Sequence, residues 1–194
     1  MEKFELTTEF FTNVFGTKLF RIKALISFGD VKSGDLGGYV EKEYNIDSSG
    51  NAWVYGNAQV YGNAQVCDNA RVYGNAQVYG NARVFDDAWV FGNARVYDNV
   101  QIYGNAWAFG NIQVFDDARI YGNARVFDKT RVSDNTQVYD NAQVCGNARV
   151  CGNAQVYGNA RVFDDAWVYG NAQVCDEAQV SGNARVFRQC TGLR

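Results

Sequence analysis

A six-residue unit, Asn-Ala-x-Val-aromatic-Gly/Asp, runs from Asn51 to Arg188 in 23 copies without an insertion. A unit this short cannot bury its apolar side chains alone, so it must stack on its neighbours and form a solenoid. The fourth position is Val except at Ile102, Ala108 and Ile120, and the second is Ala except at Val100, Ile112, Thr130 and Thr136. These two positions form the interior. Val100 and Ile112 enlarge the second position near the point where Ala108 shrinks the fourth, which keeps interior volume roughly constant. Strand alternation turns the residues on either side of each Val outward. Gly-Asn, Asp-Asn or Asp-Asp then supplies a sharp corner, because these residues tolerate positive φ and bond their own backbone.

The unit resembles the hexapeptide-repeat family, and the resemblance covers residues 51 to 188. It implies three hexads per triangular coil, about 18 residues, wound in a left-handed sense. With strands stacked at about 4.8 Å, the prism is about 35 to 40 Å long. The expected fold is therefore all-β: a left-handed parallel β-helix. Where that family often places a small or acidic residue after the aliphatic one, this chain carries Tyr or Phe.

Residues 1 to 50 read differently. Apolar segments at Phe10 to Val14 and Leu19 to Ile26, joined by Phe15-Gly-Thr-Lys18, suggest a β-hairpin that caps the first coil. The stretch Phe28-Gly-Asp-Val-Lys-Ser-Gly-Asp-Leu-Gly-Gly-Tyr-Val40 resembles the leader of bacterial and phage hexapeptide-repeat proteins, some labelled acyltransferase-like. Asp35-Leu-Gly-Gly38 lacks the Lys and spacing of a phosphate-binding loop and reads as a turn into the solenoid. A short tail, 189 to 194, follows the last hexad, which is expected to present an open end.

A formal charge of -3 gives neither a nucleic-acid footprint nor an acidic mimic. The apolar stretches near the N-terminus are too short to span a bilayer or act as a signal peptide, so no membrane partner and a cytoplasmic location are expected. Five scattered cysteines, Cys67, Cys145, Cys151, Cys175 and Cys190, read as free thiols. The chain has no His and no CxxC spacing, so no metal and no cofactor are expected. The acyl-CoA transferases and zinc enzymes of the resembled fold use His, and those transferases commonly carry a protruding loop, whereas no hexad here is interrupted. No catalytic residue is assigned. Asp86/Asp87, Asp116/Asp117 and Asp164/Asp165 read as turn residues before they read as acid/base pairs.

With 18-residue coils, hexads three apart share a face. One face carries Trp53, Arg71, Trp89, Trp107 and Arg125 before the core Val, and Tyr55, Tyr73, Phe91, Phe109 and Phe127 after it. Its aromatic area suggests an interface. The predicted partner-binding residues are Trp53, Tyr55, Arg71, Tyr73, Trp89, Phe91, Trp107, Phe109 and Arg125. A competing reading is that the rings stack on one another and need no ligand. Repeat expansion competes too: the segment at Ala82–Trp89 recurs at Ala160–Trp167, thirteen hexads on, and so lands its Trp on another face.

Three function classes follow. The favoured one is a non-catalytic binding protein that holds a protein partner or another copy of itself. The leader's resemblance narrows it to a phage-encoded inhibitor of a host defence component. Alternatives are a nucleotide or nucleic-acid binder that uses the outward Arg and rings, and an acyl-CoA-dependent acyltransferase with a non-His base. Homo-oligomers are expected as a trimer, or as a dimer through the C-terminal coil at Val186 and Phe187.

Overall fold

The computed structural model describes residues 2–188; the expected tail at 189–194, including Cys190, lies outside them. Three sheets of seven, eight and eleven strands are parallel throughout the repeats, and only the eleven-stranded one adds antiparallel strands at its N-terminal end. Each partner lies eighteen residues on, as in Trp53↔Arg71 with Val54↔Val72 and Trp89↔Trp107 with Val90↔Ala108. The chain is thus a parallel β-solenoid with about 18 residues per coil. Most of its strands are only two residues long, because a corner follows every hexad.

The interior is filled as the pattern requires. Val and Ala positions from Ala52 to Val174, including Val100, Ala108 and Ile112, are fully buried. Thr130 and Thr136 are buried too, and each hydroxyl donates 2.7 Å to a nearby corner carbonyl, that of Phe127 or Ser133. That bond removes the penalty of placing a hydroxyl in an apolar interior.

At the corners the residue after each ring adopts a left-handed conformation, such as Asp116 at φ 58° and Gly122 at φ 68°. Glycine removes the strain of this conformation, whereas aspartate compensates for it. The Asp86 carboxylate accepts the N–H of Gly104 at 3.0 Å, and Asp134 accepts that of Gly152 at 2.8 Å, each one coil further on. The next residue forms amide columns: Asn63 donates to Asn81, Asn81 to Asn99 and Asn99 to Asp117, at 2.9 to 3.1 Å. A carboxylate has no N–H to pass on, so the column ends at Asp117.

Before the repeats, strand β1 (Phe4–Thr12) pairs antiparallel with β2 (Lys18–Ala24). Asn13 Oδ1 accepts the N–H groups of Phe15 and Thr17, both at 2.9 Å, and so fixes the turn. Strand β3 (Leu36–Val40) pairs antiparallel with β2 and parallel with the strand at Gln59–Val60. The segment at Asp35 to Gly38, expected as a turn, is therefore mostly strand. Its two glycines reflect close packing: a Cβ on Gly37 would lie 2.6 Å from the Val54 carbonyl, and one on Gly38 2.6 Å from that of Ala58. Val40 and Ile46 lie in register with Val60 and Val66, so coiling starts before Asn51.

Lys3 lies within this first turn, 3 % exposed. Its ammonium donates to the carbonyls of Asp47, Ser49 and Ala52 at 3.2, 3.4 and 2.8 Å and sits 4.4 Å from the Phe28 ring centre. Burial pushes its pKa down to about 8.

Candidate functional site: an arginine-clamped tryptophan face

The eight-stranded sheet gathers the residues picked out in the sequence, and all but one of them reach its outer surface. Trp53 is only 1 % exposed, because Phe4 and Phe28 both pack edge-on against it, with ring centres at 6.0 and 5.4 Å. It belongs to the core beneath the N-terminal segment and not to a binding surface. Alternation alone turns it outward, but the covering rings come from outside the repeats.

Further along the sheet, Trp89 and Trp107 stack with centres 5.2 Å apart and planes within 2°. Parallel in-register pairing forces this, since identical side chains on adjacent strands repeat at the strand spacing. Arg71 covers the outer face of Trp89 at 5.4 Å, and Arg125 covers that of Trp107 at 5.2 Å. The result is a four-layer stack, Arg71-Trp89-Trp107-Arg125, in which each guanidinium lies over the electron-rich face of a ring. Beside it Tyr73, Phe91, Phe109 and Phe127 form a second stack, with centres 4.7 to 5.0 Å apart. The stacked rings are half-buried. The broad exposed apolar area expected here is therefore reduced to ring edges, and self-stacking accounts for the difference.

Tyr55 breaks the pattern. Its ring stands at 86° to Tyr73, and its hydroxyl donates 3.0 Å to Asp30. Asp30 also takes Arg71 Nη1 at 3.0 Å. The turned ring opens a cavity of about 300 Å³ lined by Asp30, Tyr55, Arg71, Tyr73 and Trp89. Burial first, then the Asp30 carboxylate, pushes the Tyr55 phenol up to about 12. Asp30 was missed in the sequence; it has no repeat position, and only the fold of the N-terminal segment brings it to this face.

Other features lie elsewhere. Trp167 is on the eleven-stranded sheet, between the guanidiniums of Arg149 and Arg185 at 4.8 and 5.1 Å. Phe10, Val14 and Phe15 near the hairpin turn are 50, 94 and 70 % exposed, a patch that the reading of this hairpin as a cap overlooked. At the C-terminal coil Val186 is half-buried, and Phe187 is half-exposed with its ring 5.1 Å from Tyr169. Cys67, Cys145 and Cys151 are free thiols. Among the described residues no group of His, Cys, Asp or Glu could hold a metal ion, and no helix is long and apolar enough to cross a membrane.

The coil, its three faces of parallel strands and their in-register columns define a β-solenoid repeat protein. Residues 64–78, 76–92, 118–134, 142–154, 154–170 and 178–191 match the family model of the YdcK beta solenoid repeat. In those segments the chain is similar to that repeat. No curated protein matches the chain.

Proposed function

We propose that this chain is a non-catalytic binding protein, a rigid β-helix that presents the Trp89–Trp107 face to a protein partner or to another copy of itself. The observation that carries the reading is the four-layer stack of Arg71, Trp89, Trp107 and Arg125 beside the Asp30–Tyr55 cavity. Trp, Tyr and Arg dominate the energetics of interfaces, and here their side chains are already ordered by stacking. Little side-chain entropy is left to lose on binding. The left-handed sense of the coil and the capping role of residues 1–50 belong to the same reading. Its narrowest form, a phage-encoded inhibitor of host defence acting in the cytoplasm, rests on the leader's resemblance alone.

The test compares two double variants as baits in extract of the native host: Trp89→Ala with Trp107→Ala, and Tyr103→Ala with Tyr121→Ala on the seven-stranded sheet. Light scattering of the same proteins reports self-association, and thermal unfolding confirms that each folds. Loss of capture or of oligomer mass in the first variant alone supports the proposal. Equal behaviour of the two variants refutes it. In a third sample, charges at Val186 and Phe187 that leave the mass unchanged would remove the C-terminal coil as the self-association surface.

A further inference from the structure

On the eleven-stranded sheet the residues before the core Val run Gln59, Gln77, Arg95, Gln113, Arg131, Arg149, Trp167 and Arg185. Arg131 and Arg149 are direct partners on adjacent strands. Along the 23 hexads of this chain, no other pair of coils stacks Arg on Arg. Like charges set opposite each other across parallel strands are unfavourable, and the two side chains separate. The Arg131 guanidinium leans over the Phe115 ring at 5.6 Å, whereas that of Arg149 leans the other way over Trp167 at 4.8 Å. Both residues are exposed, and neither has a carboxylate within 4 Å among the described residues.

On this sheet the same two coils also lack rings. The residues after the core Val on this sheet are Tyr61, Tyr79, Tyr97, Phe115, Ser133, Cys151, Tyr169 and Phe187. The stack continues from Tyr61 to Phe115, with centres 4.9 to 5.3 Å apart. It then stops for two coils, at Ser133 and Cys151, and leaves an open trough about 14 Å long between the Phe115 and Tyr169 strands. The acid next to it, Asp134, is engaged: its carboxylate accepts the Gly152 N–H at 2.8 Å and lies 3.4 Å from Ser133 Oγ.

We infer that this trough binds a phosphomonoester group, held between the Arg131 and Arg149 guanidiniums over the small floor of Ser133 and Cys151. A dianion relieves the repulsion between the two arginines, and its oxygens suit the planar fork of a guanidinium. An extended polyanion fits less well, because Asp98, Asp116 and Asp134 continue the corner beside this column and the whole chain carries a formal charge of -3.

The test is calorimetric titration at fixed ionic strength and pH 7.5 with inorganic phosphate, AMP, O-phosphoserine and an unphosphorylated oligonucleotide. The wild-type chain should bind the two esters saturably and at least as tightly as inorganic phosphate. Arg131→Gln and Arg149→Gln should each weaken binding at least tenfold, while Arg95→Gln, a lone arginine of the same column, leaves it unchanged. The ester that binds more tightly identifies the source, nucleotide or phosphorylated side chain. Absence of saturable ester binding, an equal loss in Arg95→Gln, or tighter binding of the oligonucleotide would each overturn the assignment. All three substituted arginines are exposed, and a thermal unfolding curve for each variant separates lost binding from lost fold.

Discussion

Arg71 and Asp30 form an ion pair at 3.0 Å between the first coils and the N-terminal segment, with the Tyr55 hydroxyl on the second carboxylate oxygen. This pair holds Arg71 over Trp89 and keeps Tyr55 out of the ring stack. Asp30→Asn should therefore change the site more than the stability, since exposed ion pairs contribute about 0 to 1 kcal/mol. The Tyr55 phenol should fall from about 12 toward its ordinary range. Ultraviolet titration of the variant against wild type checks this, and an unchanged tyrosine profile would contradict it.

Buried Lys3 gives stability a distinct pH dependence. Its pKa is about 8 in the folded chain against 10.5 for the free side chain, so between these values the unfolded state binds more protons and stability rises with pH. Tyr55 and Tyr61, raised to about 12, and the burial-raised thiols of Cys67, Cys145 and Cys151 act in the opposite sense at higher pH. The difference between wild type and Lys3→Met isolates the lysine. Urea unfolding at pH 7.5 to 10.5 should show the wild type gaining on the variant; a flat difference would count against this placement of Lys3.

Gly38→Ala should loosen the N-terminal segment. The added methyl would meet the Ala58 carbonyl and Val54 Cγ1, both at 2.6 Å, and overpacking of this kind costs about 1 to 3 kcal/mol. Limited proteolysis should then release fragments from the first forty residues while the repeats stay intact. Wild-type resistance would show that β3 does not pack this closely.

At the corners, Asp116 is at φ 58° and its carboxylate accepts the Asp134 N–H at 3.2 Å. Asp116→Gly loses that bond but keeps an easy backbone, whereas Asp116→Ala loses the bond and keeps the strain. The alanine variant should melt lower than the glycine variant. The reverse order would mean that the left-handed corner carries no strain.

Most of the solenoid is legible in its repeat because each side chain's surroundings recur every coil. Val54 and Ala52 are core for the same reason as Val156 and Ala154, and the register Trp89↔Trp107 follows from the 18-residue coil that the hexapeptide resemblance implies. What escapes is whatever the non-repeating segment does to the repeats. Trp53 is buried by Phe4 and Phe28, Tyr55 is turned by Asp30, and Gly37 and Gly38 make room for the first coil. The arginine clamps escape for a different reason: their positions are in the sequence, but the preference of a guanidinium for a neighbouring ring over solvent shows only in three dimensions.

Hydroxyl-radical footprinting of the chain, in buffer and after capture of its partner from native extract, shows whether the Trp89–Trp107 face is the binding surface. Mass spectrometry then reads oxidation ring by ring. Protection is expected at Tyr73, Trp89 and Trp107, with Tyr103, Tyr121 and Tyr139 unchanged. Protection confined to the other two sheets, or none in a chain with its partner bound, would contradict it.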